Sequence, residues 1–117
     1  MRKAAIAALA VSASLLVASY ASGMSTPTLK GTVGPGFTIS LTKSGKKVKT
    51  LTAGKYTFKV ADKSNIHNFA LKGPVKKTLT SVGFTGNKSV TITLKKGKYT
   101  YFCTPHASSM KGTFTVK

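Results

Sequence analysis

The chain has 117 residues, enough for one domain and short for two. Nineteen lysines and arginines stand against a single acid, Asp62, for a formal net charge of +18, and Cys103 is the only cysteine. This composition excludes an intramolecular disulfide, and with arginine confined to Arg2 it argues against a protein that reads nucleic acid through bidentate arginine contacts.

In chain order, Arg2 and Lys3 make a short positive start, Ala4–Ala18 is an apolar run broken only by serines, and small residues follow at Ser19, Ala21, Ser22 and Gly23. This is the layout of a secretory signal peptide. It is expected over residues 1–21, with cleavage after Ala21. The apolar run is short for a membrane span, and an uncleaved N-terminal anchor is the alternative. The protein is therefore expected to be exported to a periplasmic, cell-envelope or extracellular location. Residues 22–30 read as a flexible N-terminal segment, and residues 31–117 as the folded domain.

From there the pattern is all-β. Apolar and polar residues alternate over Gly36–Thr42, Tyr56–Val60, Ser89–Leu94 and Thr113–Val116, the period of a half-buried strand. Ile66–Leu71 and Lys77–Val82 are further strand candidates. Turn formers separate them: Gly34-Pro35, Ser44-Gly45, Ala53-Gly54, Gly73-Pro74, Gly86-Asn87 and Lys96-Gly97. Seven to eight short strands at this spacing predict a β-sandwich or barrel. The segments Leu51–Phe58 and Leu94–Tyr101 share a leucine, a glycine three residues on, then Lys-Tyr-Thr-aromatic. The repeat suggests one local task done twice, with Tyr99, and less strongly Tyr56, bonding its hydroxyl back to the backbone as in a tyrosine corner.

A lone thiol is odd in an exported protein, because exported compartments are oxidising. Cys103 must be buried, paired with another chain or held by a metal. Its neighbourhood is Tyr101-Phe102-Cys103-Thr104-Pro105-His106-Ala107-Ser108-Ser109-Met110. A strand ends at Cys103, Pro105 cannot extend a ladder, and a short loop carries His106 and Met110. Thiolate, imidazole and thioether are soft ligands that favour copper, and a second imidazole completes a His₂Cys set with a weak axial methionine. The only other histidine is His67, in Asn65-Ile66-His67-Asn68-Phe69. Zinc accepts tetrahedral ligand sets too, but structural zinc sites are built from cysteine and histidine.

The order His67-Asn68-Phe69, then Tyr99–His106, then Met110 resembles the cupredoxin family, the plastocyanin-, pseudoazurin- and azurin-like blue copper proteins. The resemblance covers most of the chain after the leader. It implies an all-β, cupredoxin-like Greek-key β-sandwich binding one Cu(I)/Cu(II) ion, with His67, Cys103 and His106 in a near-plane around copper and Met110 axial. It further implies that Asn68 ties the two ligand loops together, and that His106 is the more exposed ligand. The spacing Cys-x2-His-x3-Met singles out no one subfamily.

The expected function is one-electron transfer by a type 1 copper protein rather than enzymatic catalysis, since four protein ligands leave no open position for substrate. Copper carriage or sequestration in the cell envelope would use the same ligands. A polybasic module that binds anionic polymer is the third reading, and salt would abolish its binding. The expected partner is a redox protein with an acidic contact surface, met by a monomer whose lysine field speeds encounter. The same field suits an anionic membrane or cell-wall surface. No nucleic-acid partner is expected.

Overall fold

The computed structural model describes residues 25–117. The expected signal peptide lies outside the described residues. Strands run in chain order β1 (Thr28–Val33), β2 (Ile39–Lys43), β3 (Lys46–Lys47), β4 (Thr50–Leu51), β5 (Gly54–Asp62), β6 (Phe69–Lys72), β7 (Lys77–Thr80), β8 (Gly86–Leu94), β9 (Gly97–Phe102) and β10 (Lys111–Val116). They form two five-stranded sheets, ordered β3-β2-β1-β5-β8 and β4-β10-β9-β6-β7. Eight strands have four residues or more, in line with the all-β sandwich expected, and β3 and β4 are two-residue additions at sheet edges.

The core lies between the sheets because strand residues alternate inward and outward. β5 turns Tyr56, Phe58, Val60 and Asp62 inward, and β9 turns in Tyr99 and Tyr101. Phe69 stacks on Tyr101 (centroids 5.8 Å apart, 7° between planes), and Tyr99 stacks on Phe114 (5.2 Å, 7°). Phe69 and Tyr101 of this row stand two residues along the chain from the candidate ligands His67 and Cys103. Gly31 in β1 makes room for it, since a Cβ there would sit 2.9 Å from Phe69 Cε2.

The N-terminal expectation needs correction. Of the segment 22–30, expected to be flexible, residues 22–24 lie outside the described residues, while β1 begins at Thr28 and is a central strand, parallel to β5 and antiparallel to β2. Leu29 is fully buried, so apolar burial holds the segment in the sheet. Other boundaries shift for local reasons. Gly86 and Asn87 open β8 opposite Asp62 and Ala61 instead of forming a turn. Phe37 stands in the β1–β2 connection, ahead of β2. His67 and Asn68 precede β6, because a chain of turn hydrogen bonds takes the backbone there.

Both tyrosine hydroxyls return to the backbone as the repeat predicted. Tyr99 Oη donates to Lys95 O (2.8 Å) and accepts from Lys95 N–H (2.9 Å). Tyr56 Oη donates to Thr52 O (2.8 Å).

Candidate metal centre

Two connections meet at one end of the sandwich. The first follows β5. Asp62 Oδ1 accepts from Ser64 N–H (3.2 Å), Ser64 Oγ accepts from Ile66 N–H (3.3 Å), and Ser64 O accepts from His67 N–H (3.5 Å). These short-range bonds are the turn chemistry of Asp and Ser, and they turn His67 inward, where it is fully buried. Asp62, the one acidic side chain, is thereby buried in the turn, and its Oδ2 has no partner among the described residues.

The second connection joins β9 to β10. Cys103 N–H donates to Met110 O (3.0 Å) and closes the loop. Inside it, Thr104–His106 form a single 3₁₀ turn with Pro105 near its start, where a missing N–H costs nothing. His106 N–H bonds Cys103 O (3.1 Å), and Met110 N–H bonds His106 O (2.8 Å). Eight residues are thus wound tightly enough to bring Cys103, His106 and Met110 to one place. Cys103 and Met110 are buried, and His106 is half-buried.

The side-chain donors converge. His67 Nδ1 and His106 Nδ1 are 3.2 Å apart, and Cys103 Sγ lies 3.7 Å from the first and 3.6 Å from the second. A point equidistant from the three is about 2 Å from each, close to a metal–imidazole bond of about 2.0–2.1 Å and a little short of a metal–thiolate bond of about 2.3 Å. Two imidazoles and one thiolate around a common point fit copper. No carboxylate belongs to the cluster.

His67 departs from the usual arrangement in which a ligand histidine hands its second ring nitrogen to a hydrogen-bond partner. Its Nε2 is buried without one among the described residues. Packing holds the ring instead. Gly34 (φ 74°) lies against it, and a Cβ there would fall 2.9 Å from Ser64 Cβ and 3.5 Å from His67 Cδ2. Phe37 sets its ring edge-on to both imidazoles, with centroids 4.8 Å from His67 and 4.8 Å from His106.

Asn68 bridges the two connections. Its Oδ1 accepts from Thr104 N–H (2.6 Å) and its Nδ2 donates to Thr104 Oγ1 (3.0 Å). All five residues singled out from the sequence therefore gather at this end. Sequence reading missed Thr104 as the partner of Asn68, and it missed Phe37, placed on a strand although the Gly34-Pro35-Gly36 run before it marks a turn.

Residues 38–117 match the family model of copper binding proteins of the plastocyanin/azurin family. Among solved structures, auracyanin A, a "blue" copper protein from the green thermophilic photosynthetic bacterium Chloroflexus aurantiacus, is 21% identical with a TM-score of 0.57, over 80% of this chain and 100% of that one. Reduced rusticyanin is 26% identical with a TM-score of 0.54, over 77% and 78%. None of the curated proteins matches the sequence. The match over most of the described domain, joined to the convergent His-Cys-His cluster, places the chain in the plastocyanin/azurin family of copper-binding proteins, with one copper ion as its cofactor.

Proposed function

We propose that this protein is an exported one-electron carrier in which His67 Nδ1, Cys103 Sγ and His106 Nδ1 would hold copper, with Met110 as a fourth, weaker ligand. The observation that carries the reading is the triangle of three donor atoms 3.2–3.7 Å apart, formed by residues 36 and 3 positions apart in sequence. Copper bound there supplies a one-electron couple. The protein's own groups do the rest. Cys103 binds as thiolate, and the loop hydrogen bonds from Cys103 to Met110 limit how far the donors can move when the charge at the centre changes. Buried His67, Cys103 and Met110 keep water away. With all four positions taken by side chains, no open place remains for a substrate.

His106 is the ligand nearest solvent, and it is the proposed doorway for the electron. The loop around it offers the small residues Pro105, Ala107 and Ser108, and exposed Phe37 packs edge-on against its ring. Exposed Lys63 follows β5 in the His67 connection, and exposed Lys111 opens β10 directly after Met110. Such a face suits a weak, small redox encounter with a partner that sets acidic groups around an apolar patch. Export rests on the leader-like residues 1–21.

The test is a visible absorption titration with Cu(II), run beside Cys103→Ser, followed by repeated reduction and reoxidation in the presence of a chelator. An intense blue band that saturates at one copper per chain, vanishes in the variant and survives cycling is expected. A colourless complex, or a band unaffected by Cys103→Ser, would refute the site. A blue band lost to the chelator within one cycle would favour copper carriage over electron transfer.

A further inference from the structure

Every lysine among the described residues is exposed, but lysines are unevenly placed along the strand axis. The centre lies where β1, β5 and β9 end and β10 begins. The connections framing that end are β1–β2, β5–β6, β7–β8 and β9–β10; together they hold one lysine, Lys63, and one more, Lys111, opens β10 beside them. The opposite end is different. There the β8–β9 turn consists of Lys95 and Lys96, β5 and β9 open with Lys55 and Lys98 next to their first glycines, and Lys49 precedes β4. Lys117 is pinned among them, its N–H on Leu51 O (2.8 Å) and its carbonyl accepting from Ala53 N–H (2.9 Å). No acidic side chain offsets these charges, since Asp62 is buried at the copper end.

The same end receives the N-terminal chain. β1 runs parallel to β5, so residues before Thr28 lead toward the start of β5, and Pro27 O accepts from Thr57 N–H (2.9 Å). The chain ahead of Thr28 thus enters the domain at its lysine end. We propose that this end is a docking surface for an anionic phospholipid bilayer, and that docking turns the copper end outward toward the redox partner. The occupant follows from the chemistry. Lysine without arginine supplies diffuse charge with no stereochemical fork, spread over several connections at one blunt end, which suits a planar field of headgroups. A linear polyanion would sooner lie in the groove on the outer face of the first sheet, lined by Lys30, Lys59 and Lys88. The docking does not depend on the electron-carrier reading. The orientation does use the position of the copper centre.

The experiment is co-sedimentation of the copper-loaded full chain with phosphatidylcholine vesicles, with and without phosphatidylglycerol. Each lysine near an anionic surface strengthens binding about fivefold, so the triple variant Lys95→Gln, Lys96→Gln, Lys98→Gln should bind on the order of 100-fold more weakly. A triple of equal charge, Lys30→Gln, Lys59→Gln, Lys88→Gln, should lose less than about tenfold, and binding should fade near 1 M salt, where the Debye length is about 3 Å. Reduction of the blue form by ascorbate should be as fast on vesicles as in solution. Equal losses in the two triples, or binding indifferent to phosphatidylglycerol, would overturn the docking surface. Capture by soluble polyphosphate without capture by vesicles would overturn the bilayer as its occupant. Strong slowing of ascorbate on vesicles would overturn the orientation while leaving the blue band itself intact.

Discussion

The Asn68–Thr104 pair offers the sharpest test of how the scaffold serves the metal. Asn68→Ala removes two hydrogen bonds, one to Thr104 N–H (2.6 Å) and one to Thr104 Oγ1 (3.0 Å). At about 0.5–1.5 kcal/mol per bond the loss is roughly 1–3 kcal/mol, and because Thr104 is exposed, water can take up its freed N–H and keep the cost within that range. For a domain of this size the melting temperature should fall by about 4–8 °C per kcal/mol. Thr104→Val removes only the Oγ1 bond and should cost about half as much. The double variant should cost no more than Asn68→Ala alone, a coupling of about 0.5–1.5 kcal/mol in a double-mutant cycle. Because the pair joins the His67 turn to the loop of Cys103 and His106, Asn68→Ala should also weaken copper binding, by about 10–100-fold on the scale of other outer-shell partners. Denaturant melts give the first quantity, and competition with a calibrated chelator, read at the blue band, gives the second. Strict additivity of the two substitutions, or unchanged copper affinity in a destabilised Asn68→Ala, would refute the bracing role.

Further outcomes follow from the same geometry. Leu29→Ala should cost about 2–5 kcal/mol in chemical denaturation, the price of a large-to-small change at a fully buried site; a near-zero cost would mean β1 is frayed. Tyr99→Phe should cost more than Tyr56→Phe, since Tyr99 Oη makes two backbone bonds with Lys95, each worth about 1 kcal/mol, while Tyr56 Oη makes one, its second partner being Thr52 Oγ1 at 3.3 Å; equilibrium melts would reveal a reversed order. Burial raises the Tyr101 phenol above its ordinary 10.0, partly offset by a hydrogen bond with the Leu41 backbone. The fold keeps that phenol protonated, so its contribution is complete below pH 10 and is lost as pH climbs through the raised value. Alkaline unfolding should therefore be shallower in Tyr101→Phe, and an unchanged alkaline limb would count against the burial effect.

The site was legible because its chemistry is concentrated. Cys103, His106 and Met110 share one short loop, and only His67 remains to complete the set. The tyrosine bonds were legible too, because the Lys-Tyr-Thr repeat marks the same strand entry twice. β1 was not, since Gly31 replaces a large inward residue and lets Phe69 in, leaving Leu29 and Val33 too far apart to read as alternation. Phe37 was missed for the opposite reason. It fits an alternating pattern, while the backbone around Gly34 places its ring over the imidazoles rather than in a ladder. Contacts of this kind depend on where two distant connections meet, which no local period encodes.

The position of β10 bears on how the protein can be made. This strand lies between β4 and β9, and it supplies Phe114 to the core and follows Met110, whose carbonyl anchors Cys103. Until residues 111–116 have been made, at about 5–20 residues per second, β9 therefore lacks its neighbour on one side and the two-residue β4 has none. A nascent chain lacking them cannot close the sandwich or align the thiol with its loop. A truncation that removes β10 should leave an unfolded polypeptide, whereas trimming ahead of Pro27 should be tolerated.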